Sequence, residues 1–336
     1  MHDFFNVTNI IHKKQSGFRK YHSCNTALTH LMDTWLKDVD SGKYVGSVFL
    51  DLRKAFDLVD HQILIHKLKL HHFSEAAVAF SNRTQVVKVG NTQSDTMTIT
   101  SGVPQGSILG PLLFLVYIND LADVCTDVNL DLYADDSTSY KSGSNIHEIE
   151  VTLQESLNQI TNWCTTNNML LHPTKSKCMV IGSRYKLNKI NTLQLTINGT
   201  TLENVTHQKL LGIHVDNSLK WHIQIDNVCQ KLNSKVNLLK RIKCYLNRHS
   251  RVLFYNAYIL PIMDYCCHIW GKENKACINQ IHKIQSRICK IMLDLPMRST
   301  SKSIYEDLQI MSFDNRCMYH VAVLVFKTLI TWHLHT

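Results

Sequence analysis

The segment "LYADDSTSY" sets Asp135 and Asp136 side by side at the end of an apolar, strand-like run. Adjacent carboxylates repel each other and are strongly hydrated. On a straight strand they would face opposite sides, so they converge only where the chain turns, as at a hairpin tip. A solvated Asp-Asp turn is one reading. A divalent metal site is the other, because hard Mg²⁺ takes carboxylate oxygens and needs only one or two from the protein. A third acid closing another strand would favour metal, and Asp51 is such an acid, ending the apolar run "SVFL". Three carboxylates could hold two ions roughly 3.5–4 Å apart, the spacing that clamps the attacking and leaving oxygens in phosphoryl transfer. Charge logic alone leaves both readings open.

These acids need elements to carry them. "KYVGSVFLDL" reads as a strand with Val48 and Leu50 on one face and Phe49 and Asp51 on the other. "VNLDLYADDSTSYKSG" reads as a hairpin, and so does "TQVVKVGNTQSDTMTIT" around its Gly-Asn turn. Helical spacing predicts helices in "NTALTHLMDTWLKDV", "DHQILIHKLKLHHF", "LLFLVYINDLADV", residues 146–172 and "IQIDNVCQKLNSKVNLLKRIKCYL". "KCMVIG", "LQLTING" and "KLLGIHVD" are expected as short strands. Between the two hairpins in sequence lies the loop "SGVPQGSILGP", whose Gly102, Gly106 and Gly110 let backbone approach a ligand while Pro104 and Pro111 stiffen it. Strands and helices mixed without strict alternation indicate an α+β fold.

The 336 residues carry a net charge of +9, which favours a polyanionic partner. No signal peptide is visible, and the apolar runs are too short or carry a lysine, so secretion and a membrane span are not expected. Eleven cysteines occur without a CxxC pair, as in reduced intracellular proteins. Cys266, Cys267, His268, Cys277 and His282 form the one thiol–imidazole cluster; their irregular spacing points to thiols along helices rather than zinc.

Taken in order, "FLDLRKAFDLVDH", "SGVPQGSILGPLLFLVYINDL" and "LYADD" resemble the successive palm motifs of reverse transcriptases, closest to those of non-LTR (Jockey/CR1-like) retrotransposons. "QSGFRKYHSCNTAL", "LHPTKSKCMVIG", "QKLLGIHVDNSLKW" and "LFYNAYILPIMDYCCHIWG" resemble the family's flanking segments, so the likeness runs over roughly residues 15–315. The resemblance implies a right-hand polymerase: an antiparallel-sheet palm with partial fingers over residues 1–205, a primer grip and helical thumb over 206–250, and a helical C-terminal region over 251–336.

It also implies roles. Asp51, Asp135 and Asp136, with the Leu52 carbonyl, would ligate two Mg²⁺ ions, Mn²⁺ being the alternative. Phe56 would exclude a 2′-hydroxyl and so select deoxynucleotides. Gln105 and Gly106 would line the nucleotide pocket, and Lys175 would donate a proton to pyrophosphate, with Lys177 as a substitute. Asp57 and Asp60 are expected as local caps or salt-bridge partners. Arg19 and the basic thumb residues Lys231, Lys235, Lys240, Arg241 and Lys243, interleaved with Val228, Leu232, Val236 and Leu239, would contact an RNA template and DNA primer. The expected activity is RNA-directed DNA polymerisation inside the cell, nuclear or cytoplasmic.

The family carries more fingers sequence before "QSGFR", and the stretch from Phe73 to Asn82 is several residues shorter than usual. The chain is therefore expected to be a fragment or decayed copy. An inactive RNA- or hybrid-binding remnant is the alternative, and a two-metal nuclease is disfavoured by Phe56 and Gln105.

Overall fold

"YVGSVFL" forms strand β1 (Tyr44–Leu50), in which every residue but the first is buried. A strand apolar on both faces has to lie inside a sheet covered on both sides. The computed structural model describes residues 10–73, 83–299 and 304–333, with two compact units, Met1–Thr206 and His207–Thr336. The stretch Phe73–Asn82 flagged from sequence falls, beyond Phe73 itself, outside the described residues.

In the first unit, β1 is followed by four two-residue strands, β2 (Thr84–Gln85), β3 (Lys88–Val89), β4 (Thr92–Gln93) and β5 (Met97–Thr98), nested as hairpins. Then come β6 (Asn129–Tyr133), β7 (Asp136–Gly143), β8 (Lys177–Ile181), β9 (Thr196–Ile197), β10 (Thr200–Thr201) and β11 (Glu203–Asn204). The main sheet has the order β11-β8-β1-β7-β6. Its pairs are antiparallel except β11 with β8, so the expected α+β architecture with an antiparallel sheet is what the chain adopts.

Alternation decides what covers each face. Trp35, from the helix Cys24–Asp40, sets its ring edge-on to Phe49 and Tyr140, at 6.4 and 5.8 Å between centroids. Val48 and Leu50 belong instead to the core cluster with Ile149, Leu153, Leu157 and Ile160 of the helix Ile146–Thr166. That helix sits so close that a Cβ on Gly46 would come within 2.5 Å of Ile149 and 2.8 Å of Leu153. Each such aliphatic side chain, fully buried, contributes about 1.5–3 kcal/mol.

Local chemistry starts the helices. Ser23 and Thr26 form a reciprocal capping box, Asn145 accepts from His147 N–H, and Asp60 accepts from the Gln62 and Ile63 amides to cap the helix His61–Leu70. The buried Lys67 on that helix donates to the Tyr117 carbonyl and to Asp120, which anchors it to the almost wholly buried helix Leu109–Ile118. Burial pulls its pKa below the usual lysine value, and Asp120 opposes the shift.

In the second unit, "KLLGIHVD" departs from the single strand expected. It folds back as a hairpin, β12 (His207–Leu210) with β13 (Ile213–Asp216), because Leu211 and Gly212 both take positive φ, at 43° and 89°. In the first unit, "LQLTING" contributes only the short β9, paired with β10. In the second unit, the helix His222–Ile242 buries Val228, Leu232, Val236 and Leu239, as their spacing predicts, and lies against the helix Lys275–Met292. Among the described residues no helix is long and apolar enough to cross a membrane. Among the described residues no disulfide joins any of the eleven cysteines.

Candidate active site

The register of β1 against β7 decides where the acids meet. Leu50 pairs with Ser137, so the next step sets Asp51 beside Asp136. On the other edge of β7, Tyr133 pairs with Asp136, leaving Ala134 and Asp135 as the two-residue tip of the β6–β7 hairpin. The three carboxylates therefore gather at one end of the two central strands. Asp136 registers the crowding. Its side chain still reaches solvent, yet loss of surrounding water, then repulsion from Asp135 and Asp51, raises its pKa above the ordinary aspartate value.

The backbone beside Asp51 is held from the opposite edge. Its carbonyl accepts from His172 N–H at 2.8 Å, and Arg53 N–H donates to the Leu170 carbonyl at 2.7 Å. Leu52 thus faces Leu171 as an isolated antiparallel bridge. In that geometry the Leu52 carbonyl points away from Leu171, towards the β7 edge where the acids lie. Asp51 N–H donates to the hydroxyl of the buried Ser176 at 3.1 Å. Lys175 is exposed on this same 172–176 turn. Its neighbour Lys177 is instead ion-paired with Glu203.

Phe56 lies in a run of turns after Leu52, not on a helix, and stacks on Phe114 with centroids 4.4 Å apart. One ring face is thereby packed on the core while the residue stays partly exposed. The Gly/Pro loop is tied to this segment: Val103 N–H donates to the Phe56 carbonyl, Gly102 N–H to the Val59 carbonyl, and the Gln105 amide to Asp57 at 2.8 Å. Gly102 has φ +86°, and a Cβ there would lie 3.0 Å from the Asp57 carbonyl oxygen. Gly106 has φ +77° with open space around it. Asp57 thus positions Gln105, and Asp60 is a helix cap.

One group has no role assigned from residue types alone. Gln15 is buried at 1% exposure, and its side-chain oxygen accepts from Ala134 N–H at 2.9 Å and Gly17 N–H at 2.7 Å. Its amide nitrogen reaches the Ala134 carbonyl at 3.4 Å. Ala134 has φ +56°, a left-handed conformation disfavoured for a residue with a Cβ, and it directly precedes Asp135. A Cβ on Gly17 would fall 2.3 Å from Ala134 nitrogen, so the glycine permits the clasp. "QSG" marks the segment in sequence; nothing local shows what it grips.

Several of the basic residues have partners within the chain. Arg19 turns inward, donating to the carbonyls of His12 and Gln15, and so braces the Gln15 loop instead of reaching outward. Lys243 is ion-paired with Asp294, which also holds Arg251. Lys231, Lys240 and Arg241 are exposed, and Lys235 is half-buried with its ammonium over the Tyr258 ring. Lys231 and Lys235 share a helix face, whereas Lys240 lies about two and a half turns beyond Lys231 and faces the other way. The charges flank the buried stripe on both sides and do not form one face.

The donor set suits hard divalent cations: three clustered carboxylates and an outward carbonyl, with Asp136 under electrostatic strain that positive charge would relieve. A model of the family described as "Reverse transcriptase (RNA-dependent DNA polymerase)" matches residues 1–215. The chain is 27% identical to a probable RNA-directed DNA polymerase from transposon BS of Drosophila melanogaster, over 96% of this chain and 37% of that protein. It is 26% identical to the RNA-directed DNA polymerase from mobile element jockey of Drosophila funebris, over 90% of this chain and 34% of that protein. It thus spans about a third of the length of these curated relatives. Among solved structures it is similar to telomerase from Candida albicans with the TWJ fragment of telomeric RNA, at TM-score 0.46 and 10% identity over 92% of this chain and 55% of that one. With 215 of its 336 residues matched by the family model, the chain belongs to the reverse transcriptase (RNA-dependent DNA polymerase) family.

Proposed function

We propose that this chain is the RNA-directed DNA polymerase core of a non-LTR retrotransposon, adding deoxynucleotides to a primer 3′-hydroxyl on an RNA template. The observation that carries the reading is the convergence of Asp51, Asp135 and Asp136 at one end of β1 and β7, with the Leu52 carbonyl turned the same way. The family implies divalent-metal catalysis in general, and we assign Mg²⁺ to these four ligands. Bound there, a pair of ions would polarise the 3′-hydroxyl and neutralise charge on the triphosphate and departing pyrophosphate.

The remaining work falls to the chain's own groups. Ser176 and His172 fix the backbone of Asp51, and Gln15 fixes that of Ala134, so the carboxylates are oriented before substrate arrives. Phe56, backed by Phe114, presents a ring that a ribose 2′-hydroxyl would meet. Gln105 and Gly106 offer an amide and open backbone to the nucleotide. Lys175, exposed on the turn that grips Asp51, holds the proton for pyrophosphate. Lys231, Lys240 and Arg241 attract nucleic-acid phosphates, a binding that weakens as salt rises. The primer–template is an RNA–DNA hybrid, read by shape and phosphate. The setting of such chemistry is intracellular, nuclear or cytoplasmic.

The test is primer extension by the purified chain on poly(rA)/oligo(dT) with dTTP and Mg²⁺, beside an Asp135→Ala/Asp136→Ala variant. Extension by the native chain and its loss in the variant are expected. Salt-sensitive template binding without extension would establish an inactive remnant, and acid-dependent template degradation a nuclease.

A further inference from the structure

A second cluster of ligand-type side chains lies wholly within the unit His207–Thr336 and takes no part in the polymerase reading. A carboxylate oxygen of Asp264, the sulfur of Cys267 and a ring nitrogen of His320 lie within 4.8 Å of one another. The Cys317 thiol hydrogen-bonds with that of Cys267. Along the chain these four make two pairs with the same gap, Asp264-x-x-Cys267 and Cys317-x-x-His320. Two-residue gaps of this kind are common between zinc ligands. Cys317 and His320 stand three apart on the helix Phe313–His333 and so share one side of it. Asp264 ends the helix Leu260–Asp264 and Cys267 opens the next, brought round by Cys266 in a left-handed conformation (φ 54°).

We propose that Asp264, Cys267, Cys317 and His320 form a structural zinc site that fastens the C-terminal helix Phe313–His333 to the segment 264–271. Two thiolates, an imidazole and a carboxylate suit a borderline-soft, tetrahedral cation and disfavour Mg²⁺. Ligand distances of about 2.0–2.3 Å require the Asp264, Cys267 and His320 donor atoms to draw in by about an ångström, which side-chain rotation supplies, and the Cys317 sulfur joins through its contact with Cys267.

The bland alternative is a polar knot. Arg316 makes a two-pronged contact with Asp264, its Nε to Oδ1 at 3.0 Å and its terminal nitrogen to Oδ2. His320 Nε2 also lies 3.4 Å from Asp264 Oδ2 and 3.5 Å from the Arg316 terminal nitrogen. Arg316 alone answers the charge of Asp264, however, and leaves unexplained why the Cys267 thiol and an imidazole face the same carboxylate, with the Cys317 thiol bonded to that of Cys267. Two thiolates and a carboxylate around Zn²⁺ leave one net negative charge. Arg316, bonded to the ligating carboxylate, is the second-layer partner that balances and orients it. The fold also reserves room for the sulfur: a Cβ on Gly271 would lie 2.4 Å from Cys317 Sγ. Cys267 and Cys317 are buried, at 0% and 3% exposure.

The experiment strips the full chain with chelator, incubates it with ZnCl₂, desalts it and counts metal by mass spectrometry. One zinc per chain is expected. Cys267→Ser, Cys317→Ser and His320→Gln should each abolish retention, while Cys277→Ser, which alters the separate His222–Cys277 contact, should keep it. Co²⁺ titration of the unmutated chain gives a readout that needs no variant: thiolate ligation produces intense sulfur-to-cobalt absorption. Failure of the native chain to retain zinc or to show that absorption would overturn the proposal. So would retention unchanged in folded Cys267→Ser and His320→Gln.

Discussion

Gln15 clasps Ala134 through both backbone polar groups, accepting from its N–H at 2.9 Å and reaching its carbonyl at 3.4 Å, across more than a hundred residues of chain. Ala134 is the left-handed residue that turns β6 into β7 and aims Asp135. A left-handed alanine costs roughly 1–2 kcal/mol. The clasp offsets that cost and fixes the tip that carries Asp135 and leads into Asp136. Gln15→Ala strands the Ala134 and Gly17 amides without their acceptor, at about 1–3 kcal/mol for each buried donor left unpaired. Extension rate should fall at least about tenfold, the equivalent of 1.4 kcal/mol, with far-ultraviolet circular dichroism unchanged. Adding Ala134→Gly, which takes positive φ without strain, should restore part of the rate. No rescue would mean that Gln15 acts otherwise than through the turn.

The acid cluster has a pH signature. Asp136 binds its proton more tightly in the folded chain than the ordinary value of 3.8, because of lost solvation and then Asp135 and Asp51. A group with a raised folded pKa contributes its stability in full below the ordinary value and loses it as pH rises through the folded one. Metal-free Asp136→Asn should therefore melt higher than the native chain at neutral pH, with the gap closing under acid conditions. Mg²⁺ should raise the melting temperature of the native chain more than that of the variant. Thermal melts in chelator and in Mg²⁺, across pH, measure both, and equal Mg²⁺ shifts would argue against a metal role for Asp136.

Phe56 stacks on Phe114 and is only partly buried, so it can be shortened without emptying the core centre. Phe56→Val should admit ribonucleotides, lowering the preference for dTTP over UTP by about tenfold or more, while dTTP incorporation persists. Competitive primer extension reads the ratio directly; an unchanged preference would remove the gate.

Lys175 and Lys177 are separated by their partners. Lys177 is ion-paired with Glu203, and Lys175 is exposed on the turn gripping Asp51. Lys175→Ala should slow the chemical step by roughly 10²–10⁴-fold, the usual contribution of a general acid. Lys177→Ala should cost no more than about 1 kcal/mol of stability, as for a partly exposed ion pair. Single-turnover rates beside urea unfolding distinguish the two, and a reversed pattern would reassign the proton donor.

Sequence alone went far with the local elements. The apolar run ending at Asp51, the hairpin around Asp135 and Asp136, and the helical stripe through Val228, Leu232, Val236 and Leu239 all follow from side-chain period and the hydration of carboxylates, which are local properties. What the tertiary structure decided was partnership. The pairing of Leu50 with Ser137 sets Asp51 beside Asp136. Gln15 finds Ala134, Arg19 turns inward to His12 and Gln15, and Lys243 meets Asp294. Along the chain the thiols and imidazoles from Cys266 to His282 fall close together, yet Cys267 faces Cys317 and His320. No periodicity encodes such matches, because they arise when packing brings distant segments together and leaves a buried donor one acceptor within reach.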